Sequence, residues 1–163
     1  MTDLAANGKP FESVWDFPRP PEVERVAWRI RVVHHGVTIV DAPSAVRVLE
    51  TSQLPAYYVA PEHVRAGHLV GSARGSWCEW KGRARYAGVV VGDTVVDDAA
   101  WCYPEPTPGF EAIAGHWAFY AQLLDQCLVD DEVVVANPGS FYGGWATVNV
   151  TGPFKGNPGT GHW

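Results

Sequence analysis

The sequence predicts a mainly β protein built from antiparallel strands. Three segments each place two runs of β-branched residues around a tight turn that is rich in Gly or Asp. This arrangement is the strongest local signal for a β-hairpin. The three predicted hairpins span residues 30–42, 87–99 and 126–136. Further extended segments are predicted at 45–51, 55–59, 76–86 and 145–150.

One short α-helix is predicted near 108–120. Thr107 is a suitable N-cap, Pro108 suits the first helical position, and Glu111 lies in the first turn. Apolar residues recur at helical spacing and form one stripe, namely Phe110, Ile113, Ala114, Trp117 and Tyr120. We expect this stripe to cover the core. A single helical turn is also predicted at 61–64.

The 163 residues suffice for one domain with a substantial core. Residues 1–24 are predicted to be an N-terminal arm packed on that domain. Proline and glycine interrupt the arm, while Phe11, Val14, Trp15 and Phe17 are too apolar for a solvated tail. Residues 25–163 are predicted to form the β-rich domain, which ends in an irregular tail at 152–163.

Charge and cysteine content narrow the functional classes. The net charge of −6 disfavours nucleic acid as the main partner, and no run approaches the ~20 apolar residues of a membrane span. The N-terminus lacks a stretch like a signal peptide, so we expect a reduced, soluble, cytoplasmic protein. The three cysteines form no Cys-x-x-Cys pair, and His34-His35 is expected in a solvated turn. Neither a metal nor a cofactor is expected.

Two short runs, residues 77–82 and 98–106, concentrate the side chains most able to carry chemistry. They contain three of the eight tryptophans, two of the three cysteines and one of the three lysines. The lysine, Lys81, lies between Trp80 and Gly82. A partly desolvated ammonium there would bind an anion or, with a lowered pKa, serve as an acid–base group. The alternatives are a solvated lysine, or one that is paired with Glu79 or Glu105.

Other residues in these runs also allow two interpretations. Trp80 and Trp101 suit stacking walls of a pocket, but large core residues would look the same. Cys78 would need a histidine or another basic group to act as a nucleophile, and otherwise it is a small buried residue. Glu50, which follows a β-branched run, is either a general base or a salt bridge at a strand end.

We carry two hypotheses forward. The first is a pocket that binds a small ligand, anionic or planar, through Tyr58, Trp80, Lys81, Tyr86, Trp101 and Tyr103. If the protein is an enzyme, which the sequence leaves open, Lys81 and Glu50 are the catalytic candidates. The second hypothesis is an interaction module or homodimer without enzymatic activity, in which 11–17 and 152–163 clasp the partner. A one-residue error in strand register would turn Lys81 and Trp101 to different faces.

The same residues resemble a bacterial family, domain of unknown function 427. The matching stretches are 78–86, 98–106 and 118–120, with 48–51 and 55–58 in addition. The resemblance implies a β-rich domain similar to the β-tent folds, in which two antiparallel sheets meet at an angle around a ligand site. Stretches 12–21, 141–145 and 152–156 resemble a longer, actinobacterial-type subgroup. Zinc is not implied, because the chain lacks the Cys-x-x-Cys pairs through which many β-tent proteins bind it.

Overall fold

The computed structural model describes residues 3–137 and 142–155, which form fifteen short or medium β-strands and four 3-10 turns. The strands are Glu12–Ser13 (β1), Glu22–Val26 (β2), Ile30–His34 (β3), Val37–Ala42 (β4), Ala45–Leu49 (β5), Ala56–Tyr58 (β6), Leu69–Cys78 (β7), Gly82–Val91 (β8), Thr94–Cys102 (β9), Trp117–Phe119 (β10), Gln126–Val129 (β11), Glu132–Val133 (β12), Val135–Ala136 (β13), Trp145–Ala146 (β14) and Val150–Thr151 (β15). The 3-10 turns are Val14–Asp16, Pro61–His63, Glu111–Ile113 and Ala121–Leu123. The prediction of a mainly β, antiparallel fold is confirmed.

All three predicted hairpins are present, as β3–β4, β8–β9 and β11–β12. Their turns use the left-handed backbone that two-residue hairpin loops require. His35 and Gly36 have φ of 48° and 75°, Gly92 has 57° and Asp130 has 53°. The residues of these turns therefore favour the three hairpins locally. By contrast, the predicted extended segment 76–86 is interrupted by the turn at 79–81 that joins β7 to β8.

The strands form several sheets, more than the expected two. The described residues contain two four-stranded sheets, in the orders β10-β9-β8-β7 and β12-β11-β3-β4, and a three-stranded sheet, β2-β5-β6. Two small pairs, β13–β14 and the parallel β1–β15, complete the set. One buried cluster joins the two four-stranded sheets through residues such as Val32 and Val89. A second cluster, which includes Val46 and Tyr86, joins the three-stranded sheet to β8 and β9 and supports the site described below.

The predicted α-helix near 108–120 is wrong. The segment holds the 3-10 turn Glu111–Ile113 and then β10, which pairs antiparallel with β9. Gly109 and Gly115 adopt φ of 97° and 68°, which break a helix on both sides of that turn. Pairing with the free edge of β9 outweighs the modest helical preference of the apolar stripe. In the described part of the chain, no helix has the length and apolar character that crossing a membrane requires.

The arm lies against the rest of the chain. Val14 is fully buried and Phe17 nearly so, in a small cluster with Leu49 and Leu54. The indole Nε1 of Trp15 donates a hydrogen bond of 2.9 Å to the carbonyl of Pro153. The predicted arm boundary at residue 24 falls inside β2. Of the predicted tail, 156–163 lies outside the described residues.

A buried ion cluster joins the arm to two strands. The guanidinium of Arg47, whose side chain is 2% exposed, makes two hydrogen bonds of 3.0 Å to the carboxylate of Glu12. Its Nε donates a bond of 2.9 Å to Glu24, and the group lies 4.8 Å from the ring of Trp28. Arg47 thus links β1, β2 and β5.

Candidate functional site

A cavity of about 290 Å³ lies beside the β7–β8 turn, and its walls come from distant parts of the chain. The six predicted binding residues all line it: Tyr58, Trp80, Lys81, Tyr86, Trp101 and Tyr103. Glu50, the second catalytic candidate, lines it too. The register places Tyr86 on β8 directly opposite Trp101 on β9. Lys81 and Trp101 therefore face the same cavity, a point that the sequence left open.

The position of Lys81 is fixed by the turn that carries it and by the loop after β9. Gly82, directly after Lys81, has φ of 101°, a conformation that favours glycine. The backbone N–H of Thr107 donates a hydrogen bond of 3.1 Å to the carbonyl of Lys81. The hydroxyl of Thr107, which we expected to cap a helix, donates to the carbonyl of Trp80. One residue thus anchors two successive carbonyls of the turn.

The ammonium of Lys81 is half-buried among aromatic and sulfur groups. The side chain of Cys78 interacts with it and raises its pKa, and Nζ lies 5.6 Å from the ring centre of Tyr103. No carboxylate of the described residues lies within 4.0 Å of it, so it is not paired with Glu79 or Glu105. This cation has given up part of its water without gaining a carboxylate in exchange.

The charge state of Lys81 follows from its surroundings. Burial lowers its pKa, but Tyr58, Cys78 and Glu50 together outweigh burial and hold the pKa above its ordinary value. Lys81 is therefore a cation at neutral pH. A raised pKa does not favour the alternative of a neutral lysine that would suit acid–base work.

Glu50 takes part in a different charge pair. Its side chain is 13% exposed, and its Oε2 lies 3.9 Å from Nε of Arg19 in the arm. The two catalytic candidates therefore share a cavity without forming an ion pair. Cys78 also lines the cavity, but none of the described lining residues is a histidine that could activate its thiol.

Aromatic rings form the back wall of the cavity. Nε1 of Trp101 donates a hydrogen bond of 3.2 Å to the hydroxyl of Tyr58, whose ring meets the indole edge-on at 85°. Trp101 also packs on Tyr120, with ring centres 4.5 Å apart. Burial raises the pKa of Tyr58 and of Tyr103, so both hydroxyls stay protonated. The wall therefore combines apolar ring faces with hydroxyl groups.

Three hydroxyl groups on this wall are connected in series. The hydroxyls of Ser76 and Tyr86 lie 2.9 Å apart, and Tyr86 is hydrogen-bonded to Tyr120. The guanidinium of Arg74 lies 4.4 Å from the ring centre of Tyr86. Such a connected set can reorient its protons to suit either a donor or an acceptor on a ligand.

Sequence reasoning missed several lining residues, above all in the C-terminal part of the chain. They include Tyr120, Asn137, Tyr142, Gly143, Gly144 and Lys155. The Tyr-Gly-Gly-Trp stretch at 142–145 carried one usable signal, because paired glycines beside aromatic residues are typical of close backbone approach. No local sequence pattern around Asn137 or Lys155 indicated that these residues line the cavity.

The two glycines let this segment approach the wall closely. A Cβ on Gly143 would lie 2.6 Å from Cζ3 of Trp101, and a Cβ on Gly144 would lie 2.5 Å from the carbonyl oxygen of Leu54. Neither space admits a side chain without movement of its neighbours. Residues 142–144 are therefore seated directly against Trp101 and Leu54, and they close one side of the cavity.

A second group of polar side chains lies elsewhere, at the β3–β4 turn. The ligand atoms of His34, His35 and Asp125 lie within 4.8 Å of one another. The prediction that the histidine pair is solvated is wrong for His34, which is buried and whose Nδ1 accepts a 3.2 Å bond from the N–H of Asp125. The two imidazoles stack, with ring centres 4.3 Å apart and 21° between their planes.

Comparison with known families identifies one for most of the chain. Residues 22–130 match a family that is described as Domain of unknown function (DUF427). No curated protein matches the chain. The matched range contains all six predicted binding residues. The C-terminal wall of the cavity, with Asn137, Gly143 and Lys155, lies outside it.

Proposed function

We propose that this chain, which belongs to the family described as Domain of unknown function (DUF427), binds a small planar organic anion in the cavity at Lys81. The observation that carries the proposal is the half-buried ammonium of Lys81, which is cationic and has no described carboxylate within 4.0 Å. An anionic group in the cavity would supply the missing counter-charge.

The polar groups around Lys81 support this chemistry. Hydrogen bonds between an ammonium and a carboxylate are shorter and stronger than neutral ones, and a partly dry site strengthens them further. The hydroxyls of Tyr58 and Tyr103 are protonated and line the same cavity. They can donate to the second oxygen of the same anionic group.

The walls and size of the cavity limit the rest of the ligand. Trp80 and Trp101 present indole rings, against which a planar group can stack. A volume of about 290 Å³ lies at the lower end of ligand pockets, which span about 300–1,000 Å³. We therefore propose a ligand with a single ring system. Lys81 could act as a general base only in its neutral form, and its pKa is raised. The proposal is therefore confined to ligand binding.

Thermal melting in the presence of small organic acids tests the proposal. The variant is Lys81→Met, and the matched control is Arg83→Met, which removes a nearby exposed cation that does not line the cavity. We expect an aromatic acid to raise the melting temperature of the wild type and of Arg83→Met, but not of Lys81→Met. Circular dichroism of each variant establishes that it is folded.

Two results would overturn the proposal. One is an equal response of all three proteins to every acid that binds. The other is no response from the folded wild type to any acid. The second result would favour the interaction module, which size-exclusion chromatography of the wild type then tests as a homodimer.

A further inference from the structure

We infer that His34, His35 and Asp125 bind a divalent transition-metal ion at the β3–β4 turn. This inference does not depend on the cavity at Lys81. Each of the three residues offers one ligand atom, and these atoms all lie within 4.8 Å of one another. The sequence shows only the adjacent histidines, and two ligands do not complete such a site. The fold adds a third ligand, Asp125, from a distant part of the chain.

Strand pairing brings Asp125 opposite His34. β3 and β11 pair antiparallel, with Val33 opposite Gln126. In such a pair, the next residue along one strand faces the preceding residue of the other, so His34 faces Asp125. The turn after β3 then carries His35, whose φ of 48° is a left-handed conformation that histidine adopts more readily than most residues. The backbone therefore places all three residues at the same end of the sheet.

A hydrogen bond orients the carboxylate of Asp125. Its Oδ2 accepts a bond of 2.8 Å from the backbone N–H of His35, and its Oδ1 lies 3.6 Å from Nδ1 of His34. Two ligand atoms of a tetrahedral zinc ion lie about 3.4 Å apart, because Zn–N and Zn–O distances are about 2.0–2.2 Å. Nδ1 and Oδ1 already have nearly this separation. Carboxylates that bind a metal are commonly held by such additional hydrogen bonds.

The ring of His34 presents the form of nitrogen that a metal requires. Its Nδ1 accepts a hydrogen bond from the backbone N–H of Asp125, so Nδ1 is unprotonated and carries a lone pair. This bond is long, at 3.2 Å, so a metal ion that takes the lone pair displaces only a weak interaction. The side chain of His34 is 6% exposed, and close packing holds the ring in place.

His35 supplies the adjustable ligand. Its side chain is exposed, and neither of its ring nitrogens is hydrogen-bonded to another residue that the structure describes. Its ring centre lies 4.3 Å from that of His34. For the ligand atoms to reach the separation of zinc ligands, this ring has to shift by about 1 Å. No hydrogen bond of the ring opposes that shift.

The donor set selects the class of ion. Imidazole nitrogens suit zinc, copper and nickel, whereas Mg²⁺ and Ca²⁺ prefer sites made of oxygen atoms. Three protein ligands leave a coordination position for water, as in exchangeable zinc sites. The side chain of Asp125 is 54% exposed, so solvent reaches this position. A bound ion would join the β3–β4 turn to the start of β11.

Isothermal titration calorimetry of the untagged protein with ZnCl₂ tests the inference. We expect the wild type to bind one Zn²⁺ ion per chain. Asp125→Asn removes the anionic ligand but keeps an acceptor for the N–H of His35, and His35→Asn keeps a residue that tolerates the left-handed backbone. Each variant should bind Zn²⁺ about tenfold or more weakly. The matched control, His63→Ala, removes a histidine outside the cluster and should bind like the wild type.

Three results would overturn the inference. The first is the absence of saturable Zn²⁺ binding by the folded wild type. The second is equal affinity of the wild type and both variants, which would assign the ion to other groups. The third is binding of Mg²⁺ as tight as that of Zn²⁺, which would contradict a site built on imidazoles. Melting temperatures without metal establish that each variant is folded, and the two variants test the same site independently.

Discussion

Gly143 lies against the indole of Trp101, so an alanine at this position tests how the C-terminal wall of the cavity is seated. The added Cβ would lie 2.6 Å from Cζ3 of the ring and closer still to Cη2, with Cε1 of Tyr120 at 3.1 Å. Carbon atoms pack at about 3.5–4.0 Å. Either the ring or the segment must therefore move by about 1 Å.

The ring has little freedom to move. Trp101 is 7% exposed, is hydrogen-bonded to Tyr58 and packs on Tyr120. Overpacking of this kind costs about 1–3 kcal/mol of unfolding free energy. For a chain of this length, each kcal/mol lowers the melting temperature by about 2–4 °C, so we expect the melting temperature to fall by about 2–12 °C. Because the wall lifts, binding of aromatic acids should weaken as well.

Gly71→Ala is the matched control. Its Cβ would meet no atom within 4 Å, and its backbone is not in the left-handed region. We therefore expect a change within about 0.5 kcal/mol for this variant. Urea unfolding followed by tryptophan fluorescence compares the two variants with the wild type. A Gly143→Ala protein as stable as the control would refute the close approach of 142–144 to Trp101.

Three further predictions concern the ion cluster, the buried thiol and the turn. Arg47→Met leaves the carboxylates of Glu12 and Glu24 without their cation. Because these side chains are 24% and 40% exposed, we expect the free energy of unfolding to fall by about 3 kcal/mol, the low end of the range for broken buried ion pairs. An unchanged urea midpoint would contradict this. Burial raises the pKa of Cys127 to about 12, above the value of about 8.5 in unfolded chains. As the pH rises, the thiol of Cys127 therefore loses its proton in the unfolded state first. The contribution of this thiol to the free energy of unfolding is complete below about pH 8.5. It falls by up to about 1.4 kcal/mol per pH unit between there and pH 12. When the pH is raised from 8 to 10.5, the free energy of unfolding of Cys127→Ala should therefore decrease less than that of the wild type. Equal decreases for the two proteins in urea unfolding would refute the prediction. Thr107→Val removes the hydroxyl that anchors the β7–β8 turn. We expect the free energy of unfolding to fall by about 1–2 kcal/mol and aromatic acids to bind more weakly in calorimetry. Unchanged affinity would show that the turn keeps its position without this hydroxyl.

The hairpins were predictable because their signals are local. The turn at His35-Gly36 and the β-branched runs beside it lie within thirteen residues, 30–42, and strand pairing there needs no distant partner. The failed helix shows the opposite case. Trp117 lies at helical spacing from Ile113, but its backbone pairs with Cys102 on β9. Such tertiary pairing decides the structure of a short segment whose local preference is weak.

The site was predictable for the same reason only in part. Trp80, Lys81 and Tyr86 follow one another along a hairpin, and Trp101 lies on the strand that pairs with it. Their common face follows from strand alternation once the register is known. Lys155 lines the cavity, and its backbone N–H donates a hydrogen bond to the carbonyl of Ser52, more than a hundred residues earlier in the chain. No pattern in the sequence records such a contact.

The arm determines the cavity indirectly, through the segment that closes it. The N–H of Glu12 donates a 2.8 Å bond to the carbonyl of Asn149, and Trp15 binds the carbonyl of Pro153, two residues before Lys155. Glu12 also forms a salt bridge with the buried Arg47 of β5, so the arm connects the C-terminal wall to β5. The arm lies mostly, and the wall wholly, outside the range that matches the family, whereas the cation at Lys81 and the indole of Trp101 lie inside it. The matched range thus contributes Lys81 and the aromatic surface of the cavity, while the flanking segments contribute the wall that closes one side of it.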